Sequence, residues 1–351
     1  MFAVDLQWRG TLSEYVTALT WSSQGILAAG TAEGEVVLWQ DGVLSSLLHP
    51  SSVGSIDCLA FSLDGRFLAA GGQDGQVRIW QQSPSSWDLI NTLDNAPQWI
   101  DKLSWHPTKY NQLAFSLGRY VQIWDAEAQS VVTTLPFANS SVLDLAWRPN
   151  GKEMAIAGDG GVKVWQVDDW DEDPDVIDTA SASLIIRWST DSKYIASGNL
   201  DNTISVLEYG NPSPWVMRGF PGKISHLAWS QPLFKNTPLL ASASMESIAV
   251  WKKDVEEGWS AHVLEMHDRK IQALAFHPHS LLLASGGDDG LIYLWIKAKQ
   301  MGQILEGAPA GFSSLAWHLN GKQLAAGGQN GELIIWCESN RGKGFGVHNK
   351  R

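Results

Sequence analysis

Four groups of side chains in this sequence have the types and spacing for chemistry. An acid precedes a turn glycine or asparagine at Asp74, Asp201 and Asp289, with Asp159, Glu33 and Asn330 at the equivalent place. Such a carboxylate resembles a general acid or base, yet in a tight turn it can accept the backbone N–H groups ahead of it, and that structural reading is preferred. His106, His277 and His318 each directly follow a recurring aromatic, so they report a repeat and not a ligand set. His277 and His279 could share a metal, but no acid or cysteine stands at ligand spacing, and no metal site is assigned. The run "DDWDEDPDVID", residues 168–178, carries seven carboxylates. Asp171, Asp173 and Asp175 alternate like the start of a calcium loop, but Val176 stands where that loop needs Gly and Ala182 where it needs Glu. The run reads as a solvated loop and strand, with docking of a basic partner as the other reading.

Standard catalytic signatures are absent: there is no G-x-S-x-G, H-E-x-x-H, P-loop or C-x-x-C, and "GDGG" at 158–161 reads as a hairpin turn. No catalytic residue and no cofactor is therefore expected. The formal charge of -12 repels a phosphate backbone, which argues against nucleic acid as a partner. Cys58 and Cys337 lack close-spaced partners, so neither a disulfide framework nor a cysteine zinc site is indicated. The N-terminus has Asp5 and no basic region ahead of an apolar stretch, and no run approaches the ~18 apolar residues that span a bilayer. These features predict no membrane insertion and a cytoplasmic location.

The elements that position these residues come from a repeat. "AAGGQDGQVRIW" at 69–80 returns as "AAGGQNGELIIW" at 325–336. Aligned on its last residue, the phrase marks Trp39, Trp80, Trp124, Trp165, Leu207, Trp251, Trp295 and Trp336, at spacings of 41, 44, 41, 42, 44, 44 and 41 residues. A second aromatic precedes each: Trp21, Phe61, Trp105, Trp147, Trp188, Trp229, Phe276 and Trp317. Inside a unit, "IDCLAFS" (56–62), "LAAGG" (68–72) and "QVRIW" (76–80) read as strands, with Asp74-Gly75 a hairpin signal and a fourth strand after the terminal Trp, as in "WDLINTL" (87–93) or "QSVVTTL" (129–135). A four-stranded sheet of ~40 residues cannot cover both its faces, so neighbouring sheets must stack around an axis, with the tryptophans filling the space between them.

"LAFSLDGRFLAAGGQDGQVRIW" (59–80), "LAWRPNGKEMAIAGDGGVKVW" (145–165), "LAFHPHSLLLASGGDDGLIYLW" (274–295) and "LAWHLNGKQLAAGGQNGELIIW" (315–336) resemble the WD-repeat β-propeller family over nearly the whole chain. Only Trp124-Asp125 keeps the literal Trp-Asp pair, and the family's Gly-His dipeptide survives only as Met266-His267. The regular spacing and near-identical copies are similar to bacterial, cyanobacterial-type members. The resemblance implies an all-β, single eight-bladed propeller over residues 1–337. Residues 6–12 ("LQWRGTL") are expected to clasp the ring by completing the last blade beside residues 331–336, with 338–351 a disordered basic tail.

In that family the loops from fourth to first strand and from second to third strand meet on one face around the channel, and residues unlike their counterparts in other units are the informative ones. Six and four places before the first aromatic, units one to three present Tyr15, Asp57, Trp99 and Asp101. Units six and seven present Lys223, Arg269 and Lys270, with Phe220 and His267 nearby. These nine are the expected partner-binding set, an aromatic and carboxylates on one side and cations on the other, suited to a protein or peptide carrying both charges. The expected function is a non-catalytic scaffold or adaptor for proteins. The alternatives are a metal-handling accessory protein and a hydrolase or lyase with a channel-mouth site. The insertion "SQPLFKNTPLL" (230–240), with Phe234 and Lys235, is expected on the opposite face as a tolerated longer loop.

Overall fold

A computed structural model describes residues 3–50, 54–138, 140–232, 237–254 and 258–339. Among them are thirty-two strands and no helix. The strands form eight four-stranded antiparallel sheets. Each unit begins with its innermost strand, as in Val16–Trp21, and that strand touches the innermost strands of both neighbours. Ile56–Phe61 follows Val16–Trp21, and so on to Phe312–Trp317, which lies against Val16–Trp21 again. The eight blades therefore form a closed ring, the eight-bladed propeller expected from the repeat.

Covering both faces of each sheet explains why the second strands are continuous apolar runs and do not alternate. Leu27–Thr31 and Phe67–Gly72 are buried at every position. The core is accordingly divided among the gaps between blades. One cluster joins Ile26, Ala28 and Leu38 of the first blade to Ile56, Phe61, Leu68 and Trp80 of the second. Small residues on the second strand are required by close approach: a Cβ on Gly30 would stand 2.7 Å from Ile56 Cγ2, and one on Gly71 2.5 Å from Ile100 Cγ2.

The first aromatic of each unit does more than fill space. In six blades the indole Nε1–H donates to a backbone carbonyl on the innermost strand of the preceding blade. Trp21 bonds Ala316 O, Trp105 bonds Ala60 O, Trp147 bonds Ser104 O, Trp188 bonds Ala146 O, Trp229 bonds Arg187 O and Trp317 bonds Ala275 O, all at 2.9–3.2 Å. Phe61 and Phe276 hold the same place without a donor.

The ring closes through its first strand. Val4–Thr11 pairs antiparallel with Glu332–Glu338, from Val4 opposite Glu338 to Thr11 opposite Glu332, with a bulge between Leu6 and Trp8. The Trp8 ring lies 6.0 Å from that of Trp39, so the clasp also packs on the first blade. The closing strand begins two residues earlier than the sequence suggests and ends one residue earlier. Phe234 and Lys235 of the sixth-blade insertion, and residues 340–351 of the tail, lie outside the described residues.

Candidate functional site

The repeated polar residues resolve into structural roles. Asp74 Oδ1 accepts the Gln76 N–H at 3.0 Å and Asp289 Oδ1 the Leu291 N–H at 3.1 Å, so these acids hold the tight turns. The histidines after the first aromatic hold turns at the other end of the blades. His106 Nδ1 accepts the Thr108 and Lys109 N–H groups at 3.1 and 2.9 Å, His277 Nδ1 that of His279, and His318 Nδ1 that of Asn320. Serine performs the same task in other blades, where Ser22 Oγ accepts from Ile26, Ser62 Oγ from Phe67 and Ser189 Oγ from Tyr194. Among the described residues no group of three or more His, Cys, Asp and Glu side chains is arranged to hold a metal. The acidic run forms the connection to the short outer strand Asp175–Ile177 of the fourth blade, where Asp175 accepts a hydrogen bond from the Tyr209 hydroxyl at 2.8 Å.

The channel is a cavity of about 560 Å³ walled by the innermost strands. In six blades these strands carry a β-bulge at the residue four places before the first aromatic, as the register shifts between Val16 and Ala18 and between Ile224 and His226 record. A bulge turns two successive residues toward one side, so the residue three places before the aromatic lines the channel as well. That adds Cys58 and His226, and the corresponding Lys102 and Asp144 of the two unbulged blades, to the wall with Asp57 and Asp101. The bulge also supplies stitches between blades: Thr17 Oγ1 donates to Ile56 O, Ser313 Oγ to Val16 O at 2.6 Å, and Cys58 Sγ to Ile100 O at 3.2 Å.

Charges of both signs face the channel, with Lys102 beside Asp101. Asp57 and Asp101 stand on the second and third blades, and burial, followed by the Asp101 charge and offset by the Ser55 hydrogen bond at 2.5 Å, holds the Asp57 carboxyl above its usual range. On the fifth and sixth blades, Arg187 pairs with buried Asp144 at 2.6 Å beside His226. Burial, then the Arg187, Lys270 and Lys102 charges, push the His226 imidazole down to about 4. A shifted carboxyl and imidazole in one cavity are the raw material of acid–base chemistry. Burial drives the Cys58 thiol well above its usual range, and the Ser313 and Thr17 hydroxyls donate to carbonyls, whereas the buried Ser314 hydroxyl in the same wall has no partner among the described residues.

Of the nine residues expected to bind a partner, Trp99, Asp101, Lys223, Arg269 and Lys270 are exposed. Tyr15 is half-buried, its hydroxyl pKa raised by burial and by Asp288. Asp57 is half-buried in the channel wall. Phe220 packs against Trp251, with ring centroids 6.0 Å apart. His267 is a correction. It is buried, its Nδ1 is 2.7 Å from Asp289 and its Nε2 2.9 Å from Ser285 Oγ, which also accepts the Trp295 indole N–H at 2.9 Å. All its polar atoms are engaged, so it braces the seventh blade and presents nothing to a partner. Sequence reasoning missed Tyr120, 48% exposed beside the Trp99 connection. It also missed Lys102, Asp144, Arg187 and His226: a bulge brings His226 to the channel side, whereas Lys102 and Asp144 belong to the two unbulged blades and Arg187 directly precedes its aromatic.

The family model described as "WD domain, G-beta repeat" matches residues 44–81, 129–166, 181–207, 258–295 and 299–337, more than half of the chain. Transcriptional corepressor LEUNIG_HOMOLOG of Arabidopsis thaliana is 24% identical over 250 residues, covering 70% of this chain and 30% of that protein. Protein FIZZY-RELATED 3 of the same plant is 24% identical over 291 residues, with 80% and 58% covered, and human Gem-associated protein 5 is 26% identical over 323 residues, with 77% and 21% covered. The chain thus spans less than two thirds of the length of these relatives, which are eukaryotic and distant and lend no support to a bacterial type. With eight four-stranded blades, a closing strand from the N-terminus and these matches, the chain belongs to the WD40 repeat family.

Proposed function

We propose that the protein is a non-catalytic scaffold that binds protein partners on the loop face around the channel mouth. The observation that carries this reading is Trp99, 56% exposed beside Asp101 on a face whose other side holds Lys223, Arg269 and Lys270. An aromatic anchor next to segregated charges on a rigid disc concentrates binding energy in a few side chains and spares the cost of ordering them. The names of the relatives include a corepressor and a Gem-associated protein, which is in keeping with such a role. Two free cysteines suit a reducing compartment such as the cytoplasm.

The test is affinity capture from a native extract with the wild type and with a folded variant carrying Trp99→Ala, Asp101→Ala, Lys223→Ala and Lys270→Ala. Specific loss of a partner from the variant supports the reading. Retention of every partner moves the function off this face. A second reading, a channel-mouth enzyme, is favoured by the shifted Asp57 and His226. It requires that Asp57→Asn or His226→Gln abolish a turnover detected with the wild type, and a substrate screen with no turnover removes it.

A further inference from the structure

Trp99 is the one tryptophan among the described residues that is mostly exposed; the others fill gaps between blades or pack on strands. It stands on the rim of a groove. Two depressions of about 230 and 550 Å³ share Gln98, Gly118 and Ser141 and so run together. One wall is the connection over residues 95–101, and the other is the turn of the third blade that ends in Tyr120. Neither the Trp99 indole N–H nor the Tyr120 hydroxyl has a partner among the described residues, so two donors stand free on two aromatic faces.

The groove is built in advance of any ligand. The Trp99 connection is fastened to the second blade by Asn95 N–H to Gly75 O at 2.9 Å and Ile100 N–H to Gly72 O at 3.0 Å, and internally by Gln98 N–H to Asn95 O at 3.0 Å. The floor needs a glycine at 118, where φ is +57° and a Cβ would stand 2.7 Å from Gln98 Oε1. The inner end is negative: Asp101 lines both the groove and the channel, where Asp57 is its neighbour.

These features select among ligand shapes. The groove runs over loops and not along an unpaired sheet edge, so it has no row of backbone groups for an added strand. Free donors on flat aromatic faces instead match a polyproline II segment, which shows carbonyls and proline rings and has few N–H groups of its own. The Asp101 carboxylate at one end calls for a cation on the ligand.

We infer that the groove between Trp99 and Tyr120 binds an extended, proline-containing peptide with a lysine or arginine at the end that meets Asp101. The inference rests on the scaffold reading and names the partner chemistry at its main anchor.

The test is an immobilised array of ten-residue peptides carrying two or three prolines at every spacing, each in Arg, Lys, Ala and Glu versions. It is probed with the full chain as wild type, Trp99→Ala, Tyr120→Ala, Asp101→Asn and the distant Lys223→Ala/Lys270→Ala pair. Both aromatics are exposed, and unchanged melting confirms that their variants fold. The Arg and Lys versions should be bound, with at least tenfold weaker binding by Trp99→Ala and Tyr120→Ala. Asp101→Asn should erase the preference for Arg and Lys over Ala, and the distant pair should bind as the wild type does. The inference is overturned if no basic version binds above its Ala and Glu counterparts, or if binding survives Trp99→Ala. If the array is blank while the loop-face variant still loses its native partner, the ligand class is wrong and the scaffold reading stands. Retention of the partner by that variant sinks the broader reading.

Discussion

Replacing His106 by serine should change how stability depends on acid. His106 is fully buried, and its Nδ1 accepts two backbone N–H groups, which only an unprotonated Nδ1 can do. Burial, then the Lys109 charge, push its pKa from 6.5 down to about 4. A base whose folded pKa lies below its unfolded value favours the neutral form. Its stabilising contribution is therefore complete above about pH 6.5 and is lost as pH falls toward 4. At about 1.36 kcal/mol per pKa unit, this one group removes about 3 kcal/mol across that window. Ser22, Ser62 and Ser189 stand at the same place in other blades and accept N–H groups from farther round the turn, at Ile26, Phe67 and Tyr194, so serine supplies a turn acceptor without a titrating group. It also gives up the imidazole's contact with Trp147, ring centroids 4.5 Å apart, at a cost of about 1–3 kcal/mol. His106→Ser should thus be less stable than the wild type at pH 7.5 and equal or more stable at pH 4.5. Urea denaturation of both proteins at several pH values would show the curves converging. Parallel acid limbs would refute the assignment of His106 as a neutral turn cap.

Other perturbations test the ring and its braces. Ser285→Ala strands both the Trp295 indole and His267 in the interior and should cost about 2–4 kcal/mol in denaturant titration. The Trp39 indole, by contrast, has no partner among the described residues, and Ala29→Ser at the corresponding place should raise stability by about 0.5–1 kcal/mol. Trp105→Phe, which copies the natural Phe61 and Phe276, should cost about 1 kcal/mol through loss of the Ala60 bond. Removing residues 1–11 bares Glu332–Glu338 and should lower the melting temperature and promote association on size-exclusion chromatography; a synthetic peptide of residues 3–12 should reverse that association.

The spacing of the tryptophans makes the blades legible because each unit repeats the same packing problem and solves it with the same residues. Trp39 and Trp336 stand in equivalent gaps, so their recurrence reports architecture directly. The closing strand was legible for a related reason: the last unit has three strands and the first residues of the chain have no sheet of their own. His267 misled because burial depends on the whole blade. Its counterparts in other units are not histidines, and a residue unlike its counterparts can brace the interior as readily as it can face a partner. The channel groups were illegible because alternation assumes an unbroken strand, and the bulge shifts Cys58 and His226 onto the channel side.

The sequence repeat and the blade are out of step by one strand, and this offset connects the fold to where a partner can bind. The matches at 258–295 and 299–337 each begin on the outer strand of one blade and end on the third strand of the next. Each repeat therefore contains the connection that crosses between blades on the channel-mouth face, and residues 95–101, with Trp99, form one such crossing. Those crossings are fixed at both ends by strands that the packing dictates, while their middles are free of that demand. Side chains there can differ from blade to blade at little cost to the ring. Trp99 and Asp101 on one crossing, and Arg269 and Lys270 on another, are the variation that this arrangement permits. The rigidity of the ring then keeps such unlike groups at fixed separation, as recognition of one extended partner by several crossings would require.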